Sequence, residues 1–134
     1  MRIAPDLLEQ IVDHARRDAP NECCGVVISR GGVAERVIPL ENLLDGSRRK
    51  MGFEVDGLAL HRLLEEAEDD GAELGAIYHS HPRSAAEPSQ TDVNFSAGWP
   101  GVEWIIVGNV TRGTLETRSW LIEDRVPREV ALTP

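Results

Sequence analysis

The side chains best suited to chemistry sit in two short stretches, His79-Ser80-His81-Pro82 and Ser89-Gln90-Thr91-Asp92. In extended chain, residues i and i+2 project to the same side, so His79 and His81 can aim two imidazoles at one point. Pro82, Pro88 and the small residues between them suit a compact excursion. Asp92, in the first turn of a following helix, then returns a carboxylate to that point. Two imidazoles and one carboxylate are the ligands of an open catalytic zinc site, with the fourth position left to water whose pKa zinc brings to about 7. A hydrolase of this kind also needs a nearby carboxylate that is not a ligand, to carry the proton. Glu22, in the loop between Pro20 and Cys24, is the candidate. Ser89-x-x-Asp92 is at the same time a capping-box pattern, and the two uses are compatible, since Ser89 can start the helix that aims Asp92.

The elements that must hold these groups read as follows. Leu7, Leu8, Ile11, Val12 and Ala15 form one apolar stripe, predicting a helix from Pro5 to Asp18 with Pro5 at its first position. Residues 24–29 (CGVVIS) read as a buried strand, Gly31-Gly32 as a tight turn and residues 33–40 as the returning strand. The stretch 41–52 is polar and irregular and holds the basic triplet Arg48-Arg49-Lys50; residues 53–55 suggest a further short strand. Asp56 is an N-cap for a second helix with its apolar face on Leu60, Leu63, Leu64 and Ala67. Its acidic end, Glu65 to Asp70, opposes the helix dipole and reads as a solvated face that frays early. Strands follow at 74–79, 103–108 and 114–123, with an edge strand broken by Pro127 within 126–132. Helices and strands intermix, so the fold class is α/β or α+β with one central sheet.

The 134 residues suit a single domain spanning 1–134. Fourteen basic against 23 acidic side chains leave a net charge of −9, which excludes a broad basic face for nucleic acid. Cys23 and Cys24 are adjacent and point to opposite faces of a strand, so they do not bridge each other. With no disulfide framework, no leader-like start and no apolar stretch of membrane length, the expected location is the cytoplasm, away from membranes. His14 and His61 read as ordinary core or surface residues.

Glu22 with Cys24-Gly25, His79-Ser80-His81-Pro82 and Ser89-x-x-Asp92 resemble the motif of the JAMM (MPN-plus) zinc metalloproteases, over nearly the whole chain. That resemblance implies a cytidine deaminase-like α/β/α fold with one central mixed sheet. It also implies one zinc ion per chain on His79, His81 and Asp92, with Glu22 as general acid/base and Ser89 helping to bind the oxyanion. HARRDAPNECCG, IYHSH and PSQTDV are similar to the short bacterial members that release cysteine from the C-terminus of a ubiquitin-like sulfur carrier protein. The implied partner is such a carrier with a glycine-rich tail. The alternative is an isopeptidase that removes a ubiquitin-like modifier from lysines.

Arg83 is either a solvated loop residue or a partner for a substrate carboxylate, and Arg48-Arg49-Lys50 either a solvated loop or a contact for an acidic carrier. Cys24 reads as a small core residue. Two other classes fit less well. Non-haem iron oxygenases also use two histidines and a carboxylate, but in general on all-β barrels and in the order His, acid, His. Some relatives in the superfamily are metal-free scaffolds, whereas all three ligand positions and the glutamate are present here.

Overall fold

Alternation along the central strands gives the sheet two apolar faces, and helices cover both. The computed structural model describes residues 1–134. In chain order it has α1 (Pro5–Asp18), β1 (Cys24–Arg30), β2 (Val33–Leu40), a 3₁₀ turn (Gly46–Lys50), α2 (Gly57–Asp69) and β3 (Glu73–His81). Then come α3 (Gln90–Ser96), β4 (Glu103–Gly108), β5 (Glu116–Glu123) and β6 (Val126–Val130). The strands form one mixed six-stranded sheet in the order β2-β1-β3-β4-β5-β6. Only β3 and β4 run parallel. On one face, Val27, Tyr78, Ile105 and Val107 pack with Ile11 and Ala15 of α1. On the other, Val26, Ile28, Ile77 and Trp104 pack with Leu60 and Ala67 of α2 and Val93 of α3. The result is the expected α/β/α arrangement. No helix is long and apolar enough to cross a membrane.

Three features of this sheet act on the site. β3 is longer than the periodicity of 74–79 suggested, so both His79 and His81 are strand residues. They continue the Ile77 row, on the side of α2 and α3. β1 pairs antiparallel with β3, with Cys24 opposite His79. Beyond the ladder, the Ser80 amide donates to the Cys23 carbonyl (3.2 Å) and the Cys23 amide to Ser80 Oγ (2.9 Å). That register carries Glu22 to the position facing His81. Finally, the parallel β3–β4 pair requires a crossover, and α3 is part of it.

Elsewhere the structure departs from the sequence reading. Residues 53–55 are not a strand, because Asn42 and the backbone of Leu43 take up that segment's polar groups in a loop. The acidic end of α2 does not fray early: it is helical to Asp69, and Arg30 donates to the Asp70 carbonyl (2.9 Å) and pairs with its carboxylate (3.2 Å). That guanidinium supplies the cation the helix terminus lacks in its own sequence. β6 runs through Pro127, which an edge strand tolerates. Cys23 and Cys24 are both free and buried.

Gly108, opposite His81 in the ladder, lets the loop after β3 pass close by: a Cβ there would lie 2.3 Å from the Ala86 nitrogen and 2.7 Å from the Ala85 carbonyl carbon. This backbone cannot swing aside, since Ala86 donates to Glu116 and accepts from Trp120. Gly108→Ala is expected to destabilise the fold by about 1–3 kcal/mol. Gly57→Ala, at the first position of α2 with nothing within 4 Å of its Cβ, is expected to stabilise by about 0.4–1 kcal/mol. Urea denaturation of the two variants checks both signs.

Candidate metal centre

His79 and His81 leave β3 on one side, as strand alternation requires, and their Nε2 atoms lie 3.1 Å apart. Asp92, in the first turn of α3, sets Oδ2 at 3.1 Å from His79 Nε2 and 3.4 Å from His81 Nε2. All three side chains are buried. Ligands placed about 2.0–2.1 Å from a small tetrahedral cation lie about 3.3 Å from one another. The triangle therefore has the edge lengths of three such ligands. Its donor set of two imidazoles and a carboxylate suits a borderline metal.

Hydrogen bonds fix how each ligand presents itself. His81 Nδ1 lies 3.1 Å from the Ala85 carbonyl, which only accepts, so Nδ1 carries a proton and Nε2 is the atom left to face a cation when the ring is neutral. His79 Nδ1 is buried with no partner. The expected capping box is formed: the Asp92 amide donates to Ser89 Oγ (3.1 Å), and the Ser89 amide donates to Asp92 Oδ2 (2.9 Å). The box that starts α3 thus also aims the carboxylate. The Ser89 hydroxyl hydrogen has no acceptor within the protein and the side chain faces the cleft.

Glu22 stands one step further out. Its carboxylate oxygen and ring nitrogens of His79 and His81 all lie within 4.8 Å of one another. Its backbone is held by the loop 41–56: the Glu22 amide donates to the Arg49 carbonyl (2.6 Å), and Asn42 Nδ2 donates to the carbonyls of Glu22 (3.1 Å) and Gly52 (3.0 Å). Asn42 Oδ1 meanwhile accepts from the amides of Leu44 and Glu54. The Phe53 ring packs 5.1 Å from the His79 ring and stacks on Phe95.

The electrostatics follow from this packing. Burial pushes the Glu22 carboxyl up to about 7, with Asp92 adding to the shift and His81 opposing it. Burial would raise Asp92 too, but the neighbouring His79 and the hydrogen bonds shared with His79, His81 and Ser89 hold it well below the usual carboxylate range. For His81, burial lowers the pKa, yet the bonds to Asp92 and Ala85 outweigh it and the net shift is upward.

The five side chains singled out by sequence border one cleft of about 520 Å³, apart from the fully buried His79, which lies behind it. A larger cavity of about 680 Å³ adjoins it and shares Leu44, Phe53 and Phe95, but its walls are mainly apolar. Asn42 and Phe53 were not found by sequence reasoning. An Asn near a strand end carries no signal of its own. Lys50 and Arg83 both line the cleft, whereas Arg49 turns its guanidinium back onto the Leu44 carbonyl.

Comparison with known proteins adds the following. A family described as prokaryotic homologs of the JAB domain matches residues 4–123. The chain is 35% identical over 127 residues to the CysO-cysteine peptidase of Mycobacterium tuberculosis, covering 91% of this chain and 82% of that protein. It is 41% identical over 102 residues to a Thermus thermophilus protein named "Probable TtuB-protein conjugate cleaving protease", covering 76% and 66% of the two. Among solved structures, protein DSY2949 from Desulfitobacterium hafniense aligns with TM-score 0.80 at 27% identity, over 98% of this chain and 90% of that one. A structure described as a JAMM metalloprotease-like zinc site in the proteasome and signalosome aligns with TM-score 0.62 at 19% identity, over 99% and 95%, and shares the fold.

The raised pKa of Glu22 has an effect on stability whose sign can be measured on the metal-free protein. Between pH 4.5 and about 7 the unfolded chain ionises this carboxyl while the folded chain keeps it protonated. The folded state then binds more protons, and stability falls as pH rises through that window. Glu22→Gln removes this contribution. Denaturation with chelator present, at pH 5 and pH 8, should show the variant gaining on the wild type at pH 8; an identical pH slope in the two proteins would refute the assignment.

Proposed function

The chain belongs to the family of prokaryotic homologs of the JAB domain and is a JAMM-type peptidase; from that premise we propose that it is a zinc-dependent enzyme, one ion per chain. In this reading it cleaves an amino acid, cysteine in the first instance, or an isopeptide-linked group from the C-terminal glycine of a ubiquitin-like sulfur carrier protein. The observation that carries the proposal is the triangle of His79, His81 and Asp92, with edges of 3.1, 3.1 and 3.4 Å, beside a second, non-hydrogen-bonded carboxylate. The relative named as a CysO-cysteine peptidase supports the carrier–cysteine bond. The one named for cleaving TtuB–protein conjugates supports the second reading, an isopeptide bond to lysine cut by the same chemistry.

His79, His81 and Asp92 would hold the ion. When bound, it supplies Lewis acidity, lowering the pKa of a water to about 7 and polarising the scissile carbonyl. Glu22 takes the proton of the attacking water and gives it to the leaving nitrogen. Burial suits it to both tasks, because it strengthens the hold of the carboxyl on a proton relative to an exposed glutamate. The Ser89 hydroxyl, whose hydrogen is uncommitted, donates to the oxygen that becomes negative. Asp92 is kept ionised by its neighbours, so it stays a ligand and leaves proton transfer to Glu22.

The partner is a protein with a thin, glycine-rich tail. β2 is an edge strand whose Leu40 end lies across β1 from His79, a suitable rail for an extended tail added as a further strand. Residues 1–134 then act as one catalytic domain, and the buried free thiols suit a reducing, cytoplasmic setting.

Incubation with a carrier–cysteine adduct and with isopeptide conjugates, with and without chelator, followed by mass measurement of the products, tests the reading. Chelator-sensitive release is expected, and no release from either substrate by the zinc-loaded protein would refute it. His79→Ala, His81→Ala and Asp92→Ala are expected to lose zinc. Glu22→Gln is expected to keep zinc and lose about 10²–10⁴-fold in turnover.

A further inference from the structure

Besides the groups already given roles, the cleft presents two charges of the opposite sign. Lys50 comes from the 3₁₀ turn and Arg83 from the loop after β3, and both line the cleft. Both are exposed, and neither has a carboxylate within ion-pair distance. The cleft's own acids, Glu22 and Asp92, are buried and turned toward the histidines. A negatively charged group entering a protein of net charge −9 beside two carboxylates is repelled unless local cations offset them.

We infer that Lys50 and Arg83 bind the free α-carboxylate of the residue released on the leaving side of the cut, which makes the enzyme select a C-terminal amino acid over a lysine side chain. The inference rests on the peptidase reading above and narrows its substrate class. Covalent geometry links it to the reaction. Glu22 delivers its proton to the leaving nitrogen, and in an α-amino acid the carboxylate carbon lies about 2.5 Å from that nitrogen. The charge must therefore sit inside the cleft that Lys50 and Arg83 flank. When the leaving nitrogen belongs to a lysine side chain, four methylenes separate it from the backbone, and no anion accompanies it into the cleft. A guanidinium and an ammonium that line one cleft can each donate to one carboxylate oxygen.

The test uses one carrier protein ending in Gly-Gly, extended in three ways: by cysteine with a free carboxylate, by cysteine amide, and by an isopeptide bond to the side chain of a lysine amide. Cleavage by the zinc-loaded enzyme is measured for the wild type and for Arg83→Ala, Lys50→Ala and Arg83→Lys. The wild type is expected to favour the acid over the amide about 10- to 100-fold in kcat/KM, mainly through KM, the range of a charge-assisted hydrogen bond. Each alanine variant should shrink that ratio severalfold and Arg83→Lys should recover part of it. Raising ionic strength should weaken the preference, since both cations are exposed. Cleavage of acid and amide at equal rates by the wild type, or ratios unmoved in both alanine variants, overturns the carboxylate site while leaving the peptidase reading intact. Cleavage of none of the three overturns both.

Discussion

Three electron-rich atoms held 3.1 to 3.4 Å apart in the interior are the constraint to which the rest of the structure answers. Two imidazole lone pairs and a carboxylate facing one point repel one another unless a positive charge lies between them, and burial removes the water that would screen them. In the metal-free chain protons serve: His81 is pushed up and Asp92 is held down. A bound cation takes the place of those protons, so metal binding and proton release are two sides of one equilibrium. The fold has to resist that repulsion whichever charge is present, which explains why the three ligands are backed by a strand pair, a helix cap and a pinned loop.

Each ligand is placed by a different property of the backbone. The histidines share a side because a strand alternates. Glu22 faces His81 because the β1–β3 register sets Cys24 opposite His79. Asp92 returns because a parallel pair cannot be joined by a tight turn, and the crossover brings α3 over the sheet near the end of β3. In the capping box of α3 the same two residues satisfy orphan amides and orient a ligand. Stability and site geometry are then coupled: a change at Ser89 loosens the helix start and the carboxylate together.

Legibility in the sequence followed the range of the interactions. Both histidines, the returning aspartate and the box at Ser89 are local patterns, readable from spacing within 14 residues. The sheet, its helices and most boundaries are likewise local in origin. Glu22 is different, since 57 residues separate it from His79 and only the strand register relates them. Register depends on which apolar rows meet, which composition alone does not specify. Residues 53–55 misled for a related reason. Their composition suits a strand, but the Asn42 side chain and Leu43 backbone claim the polar groups of Gly52 and Glu54. Such long-range side-chain bonds leave no periodic trace.

That loop contributes to the acidity of Glu22, although it contains no strand and only one 3₁₀ turn. Burial is the chief cause of the shift at Glu22, and the loop supplies part of it: Lys50, Met51, Gly52 and Phe53 line the same cleft, and the Arg49 carbonyl fixes the Glu22 backbone. The metal triangle, by contrast, is built by β3, α3 and the loop after β3, with no hydrogen bond from residues 41–56. The loop still touches the triangle through packing, since the Phe53 ring lies against the His79 ring and on Phe95 of α3. Asn42 ties the two ends of the loop together through Gly52 and Glu54, and anchors them to the Glu22 carbonyl. The loop thus bears on the acidity of Glu22, and the sheet together with α3 sets the geometry of the three donor atoms.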